Sequence, residues 1–146
     1  MSLFKTRKRK GDAQQFLARL ANRRSLEKVR PVEERRAEAR TDLFIGIWVI
    51  PLADGQPDVM KAFPAITRDF TCTGIGFIAH HPPATVEEVL LAVPEETEEG
   101  LLRAKVYHRK ALGAGWYLLG AGVLELLDKD EYPSVNFAVR SRPLTM

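Results

Sequence analysis

Apolar residues recur between positions 43 and 126 in short runs that turn residues separate. The runs are rich in β-branched and aromatic residues, which favour extended backbone. Residues 102–109 also alternate apolar and polar positions, the period of a half-buried strand. The segments predicted as strands are 43–50, 59–70, 74–78, 86–93, 102–109 and 116–126. Six closely spaced strands favour a small antiparallel barrel or sandwich over a parallel sheet with crossover helices.

Some of these segments carry features that modify the prediction. Pro51 and the turn residues 54–57 should end the first strand. Pro64 places part of the second strand at an edge or a bulge. The 86–93 segment is also compatible with a short helix. In the last strand, Gly120 and Gly122 indicate a close approach of backbones or a sharp bend.

The N-terminal segment has a different pattern. Asp12 is a suitable N-cap, Gln15 follows three residues later, and Phe16, Leu17 and Leu20 recur at helical spacing. The helix should end before the proline at position 31. It has few apolar anchors, so we expect it to pack on the body, on another subunit or on a partner. The predicted division is a basic tail and helical extension at 1–32 and a β-barrel domain at 33–146, with a short C-terminal helix compatible with 128–139.

Composition and charge add an asymmetry to this picture. The chain has 146 residues, of which 45% are hydrophobic, enough for one domain with a buried core. Residues 1–40 hold 13 Lys and Arg against 5 Asp and Glu, a net +8, whereas residues 41–146 hold 9 against 14, a net −5. A basic arm on an acidic body is suited to an anionic partner. The single cysteine, Cys72, and the lack of a long apolar segment or signal sequence predict a cytoplasmic protein.

Catalytic patterns are not found in the sequence. No nucleophile stands near a histidine in a recognisable arrangement, and there is no GxxxxGK[ST] phosphate loop. His80, His81 and His108 could include a metal ligand, but two loop histidines and one half-buried strand histidine are the simpler interpretation. We therefore expect neither an enzyme nor a metal site, and no bound cofactor.

Two short stretches carry the functional prediction. Arg35-Arg36-Ala37-Glu38-Ala39-Arg40 places three guanidinium groups in six residues, at the junction between the arm and the body. About thirty residues later comes Asp69-Phe70-Thr71-Cys72-Thr73-Gly74. Together they resemble the RxxxR and (D/N)xSxxG motifs of the PilZ family, whose members bind the bacterial second messenger cyclic di-GMP. The resemblance covers roughly residues 33–127 and implies a six-stranded antiparallel PilZ-type β-barrel.

The resemblance also implies roles for particular residues. Arg36 and Arg40 match the RxxxR arginines, which can give paired donors to guanine or phosphate. Asp69 can accept from the guanine N1–H and exocyclic amine, and Gly74 lets a ligand approach the backbone. Thr71 stands where serine is usual; it keeps the hydroxyl and adds a methyl group, so we expect weaker binding more than lost binding.

Arg35 precedes the RxxxR motif, and the residue at that position is linked in the family to ligand stoichiometry. An arginine there can stack on a second guanine, so the prediction is a stacked pair of cyclic di-GMP molecules. The function that follows is a receptor or adaptor that changes conformation or partner contacts on binding, with the N-terminal segment as the contact for a protein partner. Alternatives are a degenerate PilZ interaction module without ligand, a nucleic-acid-binding module led by the basic arm, or an adaptor at a membrane surface.

Overall fold

The computed structural model describes residues 41–42, 44–71, 73–93, 100–128 and 131–135, together with Gln15 and Leu17. Arg35, Arg36, Arg40 and Cys72 lie outside the described residues, as does most of the predicted N-terminal helix. Gln15 and Leu17 are both helical, and Leu17 is 1% exposed within the core cluster.

Eight strands make up nearly all of the described structure. They are β1 (Thr41–Asp42), β2 (Gly46–Ala53), β3 (Gln56–Pro57), β4 (Phe63–Phe70), β5 (Gly74–His80), β6 (Glu88–Ala92), β7 (Leu101–Gly113) and β8 (Trp116–Leu127). A 3₁₀ turn, Val59–Lys61, precedes β4. Every pairing between neighbouring strands is antiparallel.

Six of these strands close into a barrel. Their order is β4-β5-β8-β7-β6-β2, and β2 pairs back onto β4 to complete the circle. The short strands β1 and β3 add to the edges of β4 and β2. Closure satisfies the backbone groups that an open edge would leave unpaired. The predicted all-β, six-stranded antiparallel barrel is therefore confirmed.

The barrel interior is filled by residues that alternate along each strand. On β5, for example, Ile75, Phe77 and Ala79 are buried while their neighbours are more exposed. Burying a side chain of the size of Phe77 stabilises the fold by roughly 1.5–3 kcal/mol. The buried residues of this inner cluster are Leu17, Ile45, Ile47, Val49, Phe63, Ala65, Phe70, Ile75, Phe77, Ala79, Val89, Leu91, Val93, Leu102, Ala104, Leu119, Ala121, Val123 and Leu126.

A second apolar cluster covers the outside of β2, β6 and the neighbouring ends of β7 and β8. It includes Trp48, Leu90 and Leu127, with Val135 and Tyr132 packed over them from the C-terminal side. Residues 133–135 are helical and lie within the 128–139 segment that was predicted to be compatible with a short helix. Because both faces of β6 are covered, all of its residues after Glu88 are buried. The 86–93 segment therefore forms a strand and not the alternative short helix. Apolar side chains on both faces are typical of a strand that is covered on both sides.

Several element boundaries differ from the predictions. Strand β2 runs through Pro51 to Ala53, because Asp54 and Gly55 both adopt positive φ (54° and 78°) and form a tight two-residue hairpin turn in place of a loop. Strand β7 continues past its predicted end at residue 109 to Gly113, so the turn before β8 is short. Pro64 agrees with its prediction: it pairs only with Trp48 of β2, and the β4–β5 ladder begins two residues later.

The chain enters the barrel alongside β4. Thr67 is fully buried; its hydroxyl accepts a hydrogen bond from the Ile45 N–H at 2.8 Å, and its own N–H donates to the Ile45 carbonyl at 2.8 Å. Earlier in the chain, Thr41 pairs with Phe70 and Asp42 pairs with Asp69. The residues that follow the arginine stretch are thereby held against the end of β4.

Candidate functional site

A cavity of about 430 Å³ lies on the outside of the barrel across β4, β5, β8 and β7. Its volume falls in the range usual for small-molecule sites. The lining residues are Asp69, Thr71, Thr73, Gly74, Ile75, Gly76, Tyr107, His108, Gly120, Ala121 and Gly122. Asp69, Thr71 and Gly74, which were predicted from separate positions of one motif, are brought together here.

The floor of the cavity has no side chains. Gly74 pairs with Gly122, and Gly76 pairs with Gly120, so four glycines of β5 and β8 lie side by side. Between them, Ile75 and Ala121 point into the core. These four residues are called here the glycine floor, and their missing Cβ atoms leave space that Asp69, Tyr107 and His108 of the neighbouring strands occupy. Glycine is therefore needed at these positions for the side chains of adjacent strands to pack closely against β5 and β8.

Asp69 forms one wall of the cavity from β4. Its carboxylate lies over β5, where the Asp69 Oδ1 atom occupies the space that a methyl group on Gly76 would need. The β4–β5 register shifts between Thr67 and Asp69, an irregularity of the kind that re-aims side chains. The aspartate thus stands above the glycine floor as a hydrogen-bond acceptor.

Thr71 organises the turn between β4 and β5. Its Oγ1 accepts hydrogen bonds from the N–H groups of Gly74 at 3.0 Å and Thr73 at 3.3 Å, and the Thr71 N–H donates to the Gly74 carbonyl at 3.0 Å. A hydroxyl that bonds the backbone two or three residues ahead is a common way to stabilise a turn. The threonine hydroxyl therefore has a structural task in the turn, in addition to the ligand contact expected for it.

Thr71→Val should destabilise the fold by about 1–2 kcal/mol, because it leaves two backbone N–H groups of the turn without their acceptor. Thr71→Ser keeps the hydroxyl and should stay within about 0.5 kcal/mol of wild type. Urea unfolding of the two variants measures both differences. Equal stability of the valine variant and the wild type would contradict this role.

Tyr107 and His108 form the opposite wall from β7. Val106 pairs with Ala121 and His108 with Gly120, so Tyr107 is an extra residue between successive pairs, a β-bulge. A methyl group on Gly122 would lie 2.6 Å from Tyr107 Cε2, and one on Gly120 would lie 3.3 Å from His108 Cβ. Both side chains therefore lean over the glycine floor.

This wall was not predicted from the sequence. Strict alternation along 102–109 placed Tyr107 and His108 on opposite faces and His108 half-buried; His108 is in fact exposed and lines the same cavity as Tyr107. The bulge is the physical reason, since one extra residue reverses the alternation that follows. The glycines at 120 and 122 were the available signal, because side chains from β7 occupy the space above them.

The arginines of the first motif lie outside the described residues, so no contact is assigned to them. The structure does place the next residues of the chain, as Thr41 and Asp42 pair with Phe70 and Asp69 at the edge of the cavity. The chain between the two motifs thus begins and ends beside the Asp69 wall.

A second, smaller cavity of about 180 Å³ is lined by ion-paired side chains that connect neighbouring strands. Arg103 lies between two carboxylates there, with NH1 3.0 Å from Glu88 Oε1 and Nε bonded to Glu125. Burial opposes the charge of Arg103, but the hydrogen bond to Glu125 and the charges of Glu125 and Glu88 outweigh it and raise the pKa of the guanidinium. These ion pairs connect β6, β7 and β8 across the outside of the barrel.

His80 and His81, at the end of β5, lie beside the turn of the β7–β8 hairpin. The His80 ring lies 4.1 Å from that of His81 and 4.6 Å from that of Trp116, and His80 Nε2 is 3.1 Å from the Ala114 carbonyl oxygen. Among the described residues, no group of three or more His, Cys, Asp or Glu side chains is placed to hold a metal ion. Within the same residues, no helix is long and apolar enough to cross a membrane.

Comparison with known proteins finds similarity in structure at low sequence identity. No family model matches the chain, and no curated protein matches it. The Bacillus subtilis inhibitor of motility (MotI/DgrA) is 14% identical with a TM-score of 0.43; the similarity covers 77% of this chain and 56% of that one, so this chain spans little more than half of that protein. The PilZ domain of YcgR from Escherichia coli, solved with c-di-GMP, is 12% identical with a TM-score of 0.35, covering 74% of this chain and 93% of that one. The second is a domain of the family that the two motifs resemble.

Proposed function

We propose that the protein is a cyclic di-GMP receptor of the PilZ type. The observation that carries this proposal is the cavity above the glycine floor, where Asp69, Thr71 and Gly74 meet. These residues were singled out by their motif, and the fold gathers them around one open surface. The closed six-stranded barrel and the entry of the chain beside Asp69 fit the same interpretation.

The chemistry of the ligand matches that of the cavity residues. Guanine presents N1–H and an exocyclic amine on one edge, both donors, and the Asp69 carboxylate can accept from both at once. The flat base would lie between the Asp69 and Tyr107 side chains, which the glycine floor leaves room for. Cyclic di-GMP is anionic, and none of the described residues that line the cavity is an arginine. We assign the phosphates and the other guanine edge to Arg36 and Arg40, and a stacking contact with a second ligand molecule to Arg35.

Binding would then act as a switch on the basic arm. The arginines of residues 35–40 and the Asp69 wall would bind the same ligand molecule. The bound ligand would then fix the arm relative to the barrel. A ligand shifts such an equilibrium only by the difference of its affinity for the two states. The proposed output is a changed contact between the N-terminal segment and a protein partner, with no catalytic step.

Isothermal titration calorimetry of the full chain with cyclic di-GMP tests this proposal. The expected dissociation constant is about 10 μM or tighter, with two ligands per chain if Arg35 supports a stacked pair. One ligand per chain would contradict the stacked pair but not the function as a receptor. No heat at ligand concentrations of ~100 μM would contradict the receptor itself and favour an interaction module without ligand.

A further inference from the structure

Tyr107 carries a large aromatic ring that is mostly exposed to solvent. It is 69% exposed although it stands on a strand of the barrel and lines the cavity. Exposed aromatic rings at the rim of a pocket are often contact surfaces, because they bring a large area with few rotatable bonds. The bulge at this residue is what turns the ring toward the glycine floor.

The ring is supported from one side and open on the other. Its Cε2 edge lies over Gly122, where a methyl group would come within 2.6 Å of it. The ammonium group of Lys105, an exposed residue, lies 5.9 Å from the ring centroid, at the outer limit of a cation–π contact. Across the floor, the Asp69 carboxylate leans over Gly76. Asp69 and Tyr107 therefore cover neighbouring strands, β5 and β8.

We propose that Tyr107 is a stacking residue for a guanine base of the ligand, and that Gly122 is glycine because the ring needs the space above it. This inference rests on the function proposed above. A base whose edge is bound by the Asp69 carboxylate gains from a partner for its face, and among the described residues that line the cavity Tyr107 carries the large aromatic ring. Stacking on an aromatic side chain recognises any base, so Tyr107 adds affinity while Asp69 adds the choice of guanine.

The same geometry distinguishes the face of the ring from its hydroxyl group. Stacking depends on the ring, so phenylalanine should replace tyrosine with little loss, whereas leucine retains apolar area but has no aromatic face. Gly122→Ala provides an independent route to the same effect, because the added methyl group displaces the ring without altering Tyr107. As Tyr107 is exposed, the displacement should cost little stability.

The test measures cyclic di-GMP affinity by calorimetry and melting temperature for the full-length chain and its variants. Tyr107→Ala and Tyr107→Leu should weaken binding by about ten- to a hundredfold, and Gly122→Ala by at least about fivefold. Tyr107→Phe should stay within about threefold of wild type. Tyr117→Ala is the matched control, since Tyr117 contacts Arg109 (4.3 Å from ring centroid to guanidinium carbon) on the same hairpin but does not line the cavity.

A structural role alone would not produce a contact between ring and base. Nuclear Overhauser effects between the Tyr107 ring protons and guanine H8 should appear in the complex of the wild-type chain and weaken with Gly122→Ala, which keeps the ring but displaces it. Wild-type affinity in Tyr107→Ala, or equal losses in Tyr107→Phe and Tyr107→Ala, would overturn the stacking role and leave the receptor intact. If the wild-type chain binds no cyclic di-GMP, the proposed function fails and the stacking role fails with it.

Discussion

Replacing Arg36 and Arg40 together by alanine should weaken cyclic di-GMP binding by more than about a hundredfold. Each arginine is expected to make charge-assisted hydrogen bonds, worth about 1.5–3 kcal/mol apiece. One replacement should therefore cost about ten- to a hundredfold, and the two together more, although neighbouring effects do not add fully. Calorimetric titration of both single variants and the double variant measures this series.

The matched control removes the same charge from the same basic segment. Arg23→Ala with Arg24→Ala lowers the net charge by the same two units but leaves the RxxxR motif intact. Its affinity should remain within about threefold of wild type at 0.15 M salt, where long-range attraction is screened. Equal losses in the two double variants would show that only the overall charge of the arm attracts the ligand.

Asp69→Ala should lower cyclic di-GMP affinity by about ten- to a hundredfold and abolish most of the discrimination against cyclic di-AMP. The carboxylate can accept two hydrogen bonds from a guanine edge, whereas adenine presents an acceptor where guanine has N1–H. Removal of the carboxylate thus penalises the guanine ligand alone. Competition titrations with both dinucleotides report the ratio of the two affinities.

Asp58→Ala is the corresponding control, because Asp58 lies before the Val59–Lys61 turn and does not line the cavity. It should leave both affinities within about twofold of wild type. A wild-type chain that binds the two dinucleotides equally well would contradict the assignment of Asp69 to the guanine edge.

The fold class followed from the sequence because its strongest signals were local. Six apolar runs with turn residues between them specify strands, and short connections specify antiparallel neighbours. The boundaries were less accurate where distant contacts decide them. The strand character of β6 depends on burial by both the inner and the outer cluster, and the continuation of β2 through Pro51 depends on the tight turn at Asp54 and Gly55.

One half of the candidate site was predicted and the other half was not. Asp69, Thr71 and Gly74 belong to one short motif, so their proximity needs only a turn. Tyr107 belongs to a strand far away in sequence, and its direction depends on a bulge that no local pattern encodes. The pairing of Gly74 with Gly122 and of Gly76 with Gly120 likewise depends on the β5–β8 register, which arises only when the barrel closes.

The amide chemical shifts of the glycine floor test most directly where the ligand binds. Two-dimensional NMR spectra of the uniformly ¹⁵N-labelled chain should be recorded during titration with cyclic di-GMP. The amide signals of Gly74, Gly76, Gly120 and Gly122 should shift on binding, while that of Gly55, at the Arg103 cavity, should stay in place. Saturable binding that leaves the four floor glycines unchanged would contradict this account.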